Sequence, residues 1–372
     1  MPRTAKAAVL VAPRQVEMRE YPIPETGDDD ALLRIEACGV CASDVPTYTG
    51  LNSLSIMELP VILGHEIVGH VENLGKRAAE RWGVKEGDRI IVERWIPCGH
   101  CENCYSGNYR LCIRNIDGFK LFYGGTPIGL PPSLWGGFAE YMYLHPDTVV
   151  YKVTDEVPAE QLPLFTPISN NLSWLQYSAG LQAGQTVVIQ GPGQEGLASV
   201  IAAQVCGAHN IVVVGLSQDE RRLALAKELG ATHTLMADEV DVVAAVKDIT
   251  GGAMANVVLD VTSSASASPV DTAIELAGDN ATIVLAAGHA EQPAMPFPTT
   301  EALHKQLTIK MVWGRRREYI HAALRLIESG KYPLHKLTTH HLPLEQTGYA
   351  LSLVSREADE EAFHVSVVMD HA

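Results

Sequence analysis

The chain is short of positive charge and has no long apolar run. Among its 372 residues, 28 lysines and arginines stand against 44 aspartates and glutamates, and the formal net charge is −16. Proteins that bind nucleic acid present massed positive charge to the phosphates, so this composition argues against that class of partner. The one dense basic run, at 315–317, is too short to reverse the balance. No apolar segment reaches the length that spans a bilayer, which argues against a membrane protein.

Other familiar sequence signals are also missing. The opening stretch MPRTAKAAVLVAPRQ has no long apolar core followed by a small-residue cleavage site, so we expect no signal peptide. The sequence contains no internal repeat and no low-complexity segment. What is present is ordinary for a globular protein of two or three domains, with 47% hydrophobic and 19% charged residues. Seven cysteines, four of them in one short segment, favour a reducing cytoplasm.

Those four cysteines lie in the segment PCGHCENCYSGNYRLC, with the spacing C-x2-C-x2-C-x7-C. Two disulfides among such close neighbours would conflict with the Cα separation that a disulfide requires. Four thiolates on a tight loop are typical of a closed, structural zinc site, which leaves no position for water or substrate. The alternative is a set of reduced cysteines that holds no metal. We predict that a structural zinc is bound by Cys98, Cys101, Cys104 and Cys112.

The pattern of strands and helices changes along the chain. The first half contains short strand patterns, such as ALLRIEACGV and EIVGHVENLG, separated by Pro, Gly and Asp clusters. From Thr186 onward apolar strands alternate with helical patterns, as in TVVIQG followed by GLASVIAAQVCGA. This alternation predicts a doubly wound parallel sheet and therefore an α/β protein with an additional β-rich domain. The late strand pattern EAFHVSVVMD indicates a return to the first domain.

A glycine-rich turn follows the first strand of the predicted parallel sheet. Gly191, Gly193 and Gly196 have the spacing G-x-G-x-x-G and lie between a strand and a helix, which is the context that dinucleotide binding requires. Such glycines permit the tight turn, the approach of a pyrophosphate and close helix packing, and the phosphate then lies at the helix N-terminus. The alternative is a glycine-rich turn that binds no ligand.

The end of the second strand bears on cofactor specificity. Gly215 stands where an acid usually holds the adenosine ribose of NAD. Without that carboxylate a 2′-phosphate is not repelled, and three further candidate cofactor residues follow: Ser217, Arg221 and Arg222. Two acidic residues between them oppose a phosphate. We expect NAD or NADP to bind, and these residues slightly favour acceptance of NADP.

A second group of chemically capable residues lies in GVCASD and GHEIVGHVENLG. The first segment contains Cys41, Ser43 and Asp44, and the second contains His65 and Glu66. Each has an ordinary structural alternative, because a cysteine often packs in the core and a histidine often has a purely structural partner. Together a thiol, an imidazole and a carboxylate are the mixed ligands that an open, catalytic zinc site uses.

These segments, the four-cysteine lobe, GGFAEY and GPGQEG occur in the order found in the zinc-dependent medium-chain alcohol dehydrogenases, which the chain resembles from end to end. The resemblance implies a GroES-like catalytic domain with an inserted Rossmann domain. It also implies reversible hydride transfer between an alcohol or carbonyl compound and a nicotinamide. We accordingly predict a catalytic domain over 1–167 with the zinc lobe at about 94–115, a Rossmann domain over 168–312, and a return to the catalytic domain over 313–372.

The resemblance also implies roles for single residues. Cys41 and His65 match ligands of the catalytic zinc. Glu66 matches an acid that is a ligand in some members and an outer partner in others. Ser43 matches the hydroxyl that hydrogen-bonds the substrate oxygen and passes its proton on, and Asp44 matches the acid that orients His65. With the lobe, two zinc ions per chain are expected.

Two positions depart from the family pattern. Thr166 stands where a Cys, Asp or Glu commonly lies beside the zinc, and a neutral hydroxyl is a poor ligand, so either Glu66 becomes the third ligand or the metal is bound weakly. Pro46 replaces the histidine that relays the proton in many members. The proton then leaves through water, the cofactor ribose or another group, and His70 and His145 have no assigned role.

The substrate is not determined by the sequence. The aromatic-rich segment 118–138 is either a packed surface loop or a wall of the substrate site, and the polar residues 169–171 are candidates to face a hydroxylated substrate. We predict a zinc-dependent dehydrogenase acting on a secondary alcohol or ketone. The alternatives are a polyol or amino-alcohol dehydrogenase of the sorbitol or threonine type, and a catalytically silent dinucleotide-binding relative. We expect a homodimer or homotetramer.

Overall fold

A computed structural model describes most of the chain in two compact units. The first unit runs to Phe165 and includes Leu324–Gly330 and the residues from Thr338 on, and the second comprises Thr166–Ala323 and Lys331–Leu337. The predicted domain bounds stay a prediction about independently folding domains. Positions 118 and 119, the start of the predicted aromatic segment, lie outside the described residues, which are 3–51, 57–114, 120–262, 268–287 and 297–371.

Strands dominate the first half of the chain, and helices alternate with strands in the second. The strands are β1 (Thr4–Ala12), β2 (Gln15–Pro22), β3 (Ala31–Gly39), β4 (Val61–Ile62), β5 (Glu66–Glu72), β6 (Arg89–Val92), β7 (Tyr141–Leu144), β8 (Val150–Lys152), β9 (Thr186–Gln190), β10 (Asn210–Gly215), β11 (His233–Met236), β12 (Ala255–Asp260), β13 (Ala277–Leu285), β14 (Thr308–Met311), β15 (Thr338–Pro343) and β16 (His364–Val368). The α-helices are α1 (Val45–Thr49), α2 (Lys76–Trp82), α3 (Glu102–Tyr105), α4 (Phe165–Leu172), α5 (Gln194–Val205), α6 (Glu220–Leu229), α7 (Val242–Ile249), α8 (Ser268–Leu276), α9 (Thr299–His304), α10 (Glu318–Glu328) and α11 (Thr347–Val354). Short 3-10 turns span Ala42–Asp44, Tyr109–Leu111, Ala159–Leu164, Ser217–Asp219, Leu334–Lys336 and Leu344–Gln346, and a π-helical turn at Ser173–Ser178 continues α4. None of the described helices combines the length and the apolar character that crossing a membrane requires.

The first unit is built mainly from antiparallel strands. Its larger sheet has the order β15-β16-β3-β5-β6-β8, with β7 paired to β3, and a smaller sheet has the order β2-β1-β4. The strands predicted in ALLRIEACGV and EIVGHVENLG are confirmed as β3 and β5, which pair so that Gly39 lies opposite Glu66. The final strand β16 pairs with β3 and thereby joins the C-terminal segment to the first part of the chain. Nearly every residue of β3 is buried, so this strand lies at the centre of the sheet.

The second unit contains the predicted parallel sheet. Its six strands have the order β11-β10-β9-β12-β13-β14, and every described pair is parallel. A parallel sheet carries helices on both faces, so its strands are apolar throughout rather than in alternation. All five residues of β9 are buried, as are the last five of β10. The prediction of a doubly wound sheet is therefore confirmed.

Candidate active site

The four clustered cysteines form a compact lobe around α3 and the following 3-10 turn. The Sγ atom of Cys104 lies 3.5 Å from that of Cys101 and 3.9 Å from that of Cys98, and Cys101 and Cys112 are 3.9 Å apart at their sulfurs. A tetrahedral zinc with Zn–S bonds of about 2.3 Å has sulfur-to-sulfur edges of about 3.8 Å. All four sulfurs lie within 4.8 Å of one another, and none of the seven cysteines forms a disulfide. The lobe therefore fits the predicted closed metal site.

The thiols of this lobe differ in how easily they ionise. Backbone N–H groups of Ile113 and Cys104 lower the pKa of Cys101 to about 6. Burial raises the pKa of Cys104 to about 12, because its thiolate would have little water around it. A divalent cation at the centre would stabilise the thiolate of Cys104, and binding of this cation would release the thiol protons. The donor set thus fits zinc chemically as well as geometrically.

The second predicted constellation is brought together at the ends of β3 and β5. Cys41 is the N-cap of the 3-10 turn Ala42–Asp44 that follows β3, while His65 precedes β5 and Glu66 begins it. A sulfur, a ring nitrogen and a carboxylate oxygen from Cys41, His65 and Glu66 lie within 4.8 Å of one another. Because β3 and β5 are neighbours, two segments that are distant in sequence contribute to one site.

Asp44 and Ser43 lie at the two ring nitrogens of His65. The buried carboxylate of Asp44 has Oδ1 at 3.3 Å from Nδ1 of His65, and Oδ2 accepts a hydrogen bond of 3.1 Å from the backbone N–H of Cys41. With Nδ1 next to a carboxylate, Nε2 is the nitrogen left for a metal. The hydroxyl oxygen of Ser43 lies 3.4 Å from this Nε2 and 3.3 Å from Sγ of Cys41. The roles implied for Ser43 and Asp44 stay predictions that this geometry permits.

The carboxylate of Glu66 is the strongest sign that this site holds a cation. Glu66 is completely buried, and neither carboxylate oxygen accepts a hydrogen bond from any of the described residues. An uncompensated buried charge costs several kcal/mol, so a charged partner is expected. A cation held jointly with Cys41 and His65 would remove this cost. The expectation that Glu66 replaces Thr166 as third ligand agrees with this arrangement, because Thr166 offers only a neutral buried hydroxyl.

His364 is a buried neighbour of Glu66 that the sequence did not reveal. Its Nε2 lies 3.7 Å from Oε2 of Glu66, and both side chains are fully buried. His364 begins β16, and only the pairing of β16 with β3 brings it to this place. A Cβ atom on Gly39 would lie 2.2 Å from Oε2 of Glu66 and 3.0 Å from Nε2 of His364, so glycine is required between them.

The two histidines without an assigned role have structural partners elsewhere in the first unit. Nδ1 of His70 lies 3.3 Å from the carbonyl oxygen of Gly87, and its Nε2 lies 3.6 Å from a carboxylate oxygen of Glu36. Nδ1 of His145 accepts a hydrogen bond of 3.1 Å from the backbone of Asp147, and burial lowers the pKa of His145. Neither contact involves a candidate metal ligand, so the structure supplies no relay histidine from this pair.

The polar residues after Pro167 are used within the second unit. The Nδ2 groups of Asn170 and Asn171 donate to the two carboxylate oxygens of Glu195, at 2.9 and 2.6 Å. Oδ1 of Asn171 accepts a hydrogen bond of 2.7 Å from the hydroxyl of Ser199. These bonds fasten α4 to the start of α5. They give the two asparagines a structural role, and the suggestion that they face a hydroxylated substrate loses its support.

The aromatic-rich segment is largely packed into the first unit. The side chains of Phe122, Tyr123, Trp135 and Phe138 are buried. Trp135 lies edge-on to Tyr143 with a centroid distance of 5.3 Å. These contacts favour the packed-loop interpretation for most of the segment.

The glycine-rich turn joins β9 to α5, as predicted. Gly191 has φ of +97°, which an L side chain rarely adopts, and a Cβ on Gly196 would lie 1.8 Å from the carbonyl oxygen of Gly191. Gly193 is the N-cap of α5, and apart from its neighbours in the chain none of the described atoms lies within 4 Å of the place where its Cβ would be. Among the described residues no side chain caps this helix, which leaves its first N–H groups for an anion. The turn therefore fits a pyrophosphate.

An unpredicted acid lies beside the end of β10. Ser217 donates two hydrogen bonds to Asp238, of 2.8 Å from its backbone N–H and 2.5 Å from its hydroxyl, and these bonds lower the pKa of Asp238. The pairing of β10 with β11 brings the two residues together. Gly215 itself has no room for a side chain, because a Cβ there would lie 2.9 Å from Cγ of Pro192. A carboxylate is thus present near the strand end after all.

The two candidate phosphate-binding arginines differ in exposure. Arg221 is exposed at the start of α6. Arg222 is buried, and its Nε lies 3.9 Å from a carboxylate oxygen of Asp219. Arg221 is therefore the better candidate to meet a 2′-phosphate.

Comparison with known proteins places these sites in a family context. A family model described as alcohol dehydrogenase GroES-like domain matches residues 27–155, and one described as zinc-binding dehydrogenase matches residues 196–329. The chain is 39% identical over 356 residues to a probable alcohol dehydrogenase of Mycobacterium tuberculosis, with 95% of each chain covered. It is 30% identical over 380 residues to erythritol/L-threitol dehydrogenase of Mycolicibacterium smegmatis, covering 99% of this chain and 98% of the relative.

A solved structure shows the same architecture. An alcohol dehydrogenase from Thermotoga maritima matches with a TM-score of 0.86 and 32% sequence identity, covering 99% of this chain and 100% of that chain. Together with the two family models, this likeness confirms the predicted fold class, a Rossmann sheet with a GroES-like β domain.

Replacing Glu66 should remove one of the two metals. We expect purified wild-type protein to carry about two zinc ions per chain and Glu66→Gln about one, because only the four-thiolate site remains complete. Loss of an outer partner costs about 10–100-fold in metal affinity, and loss of a direct ligand should cost more. Zinc content by mass spectrometry measures this. Glu72→Gln, at the other end of β5, is the control, and full zinc occupancy in Glu66→Gln would show that Glu66 is not a ligand.

Adding one methyl group at Gly39 should have a similar effect without touching a ligand. In Gly39→Ala the new Cβ must displace the carboxylate of Glu66, so we expect selective loss of one zinc and a lower melting temperature. Gly129→Ala is the control, because outside its chain neighbours no described atom lies within 4 Å of its Cβ position and Gly129 does not have a positive φ. Zinc content and thermal unfolding are measured on both variants. A Gly39→Ala protein with two zinc ions and an unchanged melting temperature would contradict this packing of Glu66.

Proposed function

The chain belongs to the zinc-containing medium-chain alcohol dehydrogenase family, and from this premise we propose that it interconverts a secondary alcohol and the corresponding ketone with NAD or NADP. As a zinc-type alcohol dehydrogenase it is an oxidoreductase that acts on CH–OH groups. The observation that supports zinc-dependent catalysis in this chain is the buried carboxylate of Glu66, which lies with Cys41 and His65 next to the hydroxyl of Ser43.

Cys41, His65 and Glu66 would hold the catalytic zinc, and the four lobe cysteines the structural one. When bound at the first site, zinc supplies a Lewis acid that polarises the substrate oxygen. The thiolate and the carboxylate together balance the charge of a divalent ion. Asp44 holds the imidazole of His65 with Nδ1 toward itself, so that Nε2 keeps its orientation.

Ser43 is the group that handles the substrate proton. Its hydroxyl oxygen lies within 3.4 Å of both Nε2 of His65 and Sγ of Cys41, so a substrate oxygen bound in this corner is within its reach. Ser43 is exposed, and Pro46 occupies the position of the relay histidine. We therefore propose that the hydroxyl of Ser43 accepts the proton from the substrate and passes it directly to solvent water. Hydride transfer itself is the chemistry of the nicotinamide.

Gly191, Gly193 and Gly196 would hold the cofactor pyrophosphate at the uncapped N-terminus of α5. We propose that both NAD and NADP are accepted. Gly215 contributes no carboxylate to the ribose, and Arg221 is an exposed cation at the start of α6 that would attract a 2′-phosphate, whereas Asp238 opposes that phosphate. Homodimer or homotetramer formation and a cytoplasmic location stay expectations from the sequence.

A polyol substrate is the second candidate. It is supported by the relative named erythritol/L-threitol dehydrogenase, which covers nearly the whole chain. The sorbitol- and threonine-type alternatives are proposals of the same kind. The catalytically silent alternative is not kept, because the ligands of an open metal site, Ser43 and the nucleotide turn are all present together.

The proposed reaction can be tested by a substrate screen. Secondary alcohols, polyols and amino alcohols are supplied with NAD or NADP, and reduced cofactor is followed by its absorbance. We expect at least one secondary alcohol to be oxidised, and Ser43→Ala to lower kcat by about 10²-fold or more, the usual contribution of a positioned proton-transfer group. Ser43→Thr keeps the hydroxyl and should retain most activity. If Ser43→Ala is as active as wild type, Ser43 does not carry the proton.

Cofactor choice should respond to Asp238. In Asp238→Asn a negative charge beside the ribose end is removed, so NADP should gain relative to NAD. We expect the ratio of kcat/KM for NADP to that for NAD to rise about tenfold, which corresponds to about 1.4 kcal/mol. The exposed Asp248→Asn in α7 is the control for a simple change in net charge. An unchanged ratio in Asp238→Asn would mean that this carboxylate does not face the ribose.

A further inference from the structure

The helix that follows the glycine-rich turn carries an acid in its first turn. Glu195 is the second residue of α5, and the N-cap is Gly193, which has no side chain to offer. The first N–H groups of a helix form the positive end of its dipole and attract negative charge. The carboxylate of Glu195 is therefore a competitor, within the same turn, of the pyrophosphate that this N-terminus fits.

Two asparagines of α4 bind this carboxylate. Nδ2 of Asn170 donates a hydrogen bond of 2.9 Å to Oε1 of Glu195, and Nδ2 of Asn171 donates one of 2.6 Å to Oε2. Nη1 of Arg315 donates to Oδ1 of Asn170 at 3.3 Å, so the Nδ2 group of this amide faces Glu195. Hydrogen bonds to an ionised acceptor are roughly twice as strong as those between neutral groups. The carboxylate is thereby held against α4.

Asn171 has a single orientation because its whole side-chain amide is used. This residue is completely buried. Its Nδ2 also donates to the carbonyl oxygens of Pro167 and Glu195, at 2.9 and 3.0 Å. Its Oδ1 accepts a hydrogen bond of 2.7 Å from the hydroxyl of Ser199. All of these partners belong to α4 or α5, so the amide fixes the carboxylate relative to the turn that binds the pyrophosphate.

Without these amides the carboxylate of Glu195 could reach the end of its own helix. Side chains of an α-helix lean toward its N-terminus, so rotation about side-chain bonds is enough and the backbone need not move. A carboxylate at this place would occupy N–H groups that the pyrophosphate needs. It would also repel the pyrophosphate, because both are negatively charged. The position of this one side chain therefore bears directly on cofactor affinity.

We propose that Asn170 and Asn171 are positioning residues that keep the pyrophosphate site open by holding Glu195 away from the N-terminus of α5. The inference rests on the proposed function, since it requires a dinucleotide cofactor at the glycine-rich turn. The asparagines act on the cofactor only through Glu195. Their effect on cofactor binding should therefore disappear when position 195 carries no charge.

A double-variant cycle tests this dependence on charge. The dissociation constant of NADH is measured by calorimetry for zinc-loaded wild type, Asn171→Ala, Glu195→Gln and the variant with both changes. In Asn171→Ala the carboxylate loses its shortest hydrogen bond, so we expect Kd to rise about tenfold, which corresponds to about 1.4 kcal/mol. In the variant with both changes no charge competes, and Kd should stay within about threefold of that of Glu195→Gln.

Asn256→Ala is the matched control. It removes the same kind of amide from the same unit, at the start of β12, which is the opposite end of the parallel sheet from the glycine-rich turn. Oδ1 of Asn256 accepts a hydrogen bond of 2.9 Å from the backbone of Thr186. We expect this variant to bind NADH as wild type does. Melting temperatures are measured on all variants, and Asn170→Ala takes the place of Asn171→Ala if the latter does not fold.

The other outcomes separate this proposal from the proposed function. If neither asparagine variant folds, the amides are a structural brace and the proposal is wrong. It is equally wrong if Asn171→Ala binds NADH as tightly as wild type, or if it weakens binding by the same factor whether or not Glu195 is replaced. In these cases the proposed cofactor binding stands. If wild type binds neither NADH nor NADPH, the proposed function fails and this inference fails with it.

Discussion

The candidate site depends on one buried negative charge, the carboxylate of Glu66. This group lies in the interior where β3 and β5 pair, and Gly39 must lack a side chain for the carboxylate to fit. An isolated buried carboxylate would destabilise the fold by several kcal/mol, so a cation bound at this place would stabilise it. Metal binding at this site would therefore be coupled to the packing of the central sheet, and His364 lies against the same carboxylate from β16, on the other side of β3.

The two candidate metal sites differ in the number and the chemistry of their ligands. In the lobe, four thiols surround one point at close to tetrahedral spacing, and the shell is closed. At the other site, three candidate ligands of mixed chemistry lie beside the hydroxyl of Ser43. An open shell permits a substrate oxygen to enter, whereas a closed shell can only hold a loop together. If both candidate sites hold zinc, the cysteine-rich segment would hold a loop together and the reaction would take place at the other site.

The structure gives a physical reason for each glycine of the G-x-G-x-x-G pattern in the cofactor turn. Three glycines alone predict little, but in this chain each has a separate reason: a left-handed backbone at Gly191, open space at Gly193 and a backbone contact at Gly196. The carboxylate at the strand end was predicted to be missing, because Gly215 occupies the usual position. In the structure Asp238, which follows the neighbouring strand β11, accepts hydrogen bonds from Ser217. Whether a carboxylate lies beside the end of β10 is therefore decided by the pairing of β10 with β11, and not by the residue at position 215 alone.

The sequence by itself determined the features that depend on local spacing and periodicity. The four-cysteine lobe, the β-α alternation, the glycine turn and the candidate ligands Cys41, His65 and Glu66 could all be identified from neighbouring residues, since metal geometry and helix and strand periods constrain short segments. Only the tertiary structure placed His364 against Glu66 and Asp238 against Ser217. The two asparagines that were candidates to face a substrate proved to be bonded to Glu195. Each of these contacts joins residues from separate strands, helices or loops, and the pairing of such elements is set by the packing of the whole chain, which no short segment encodes.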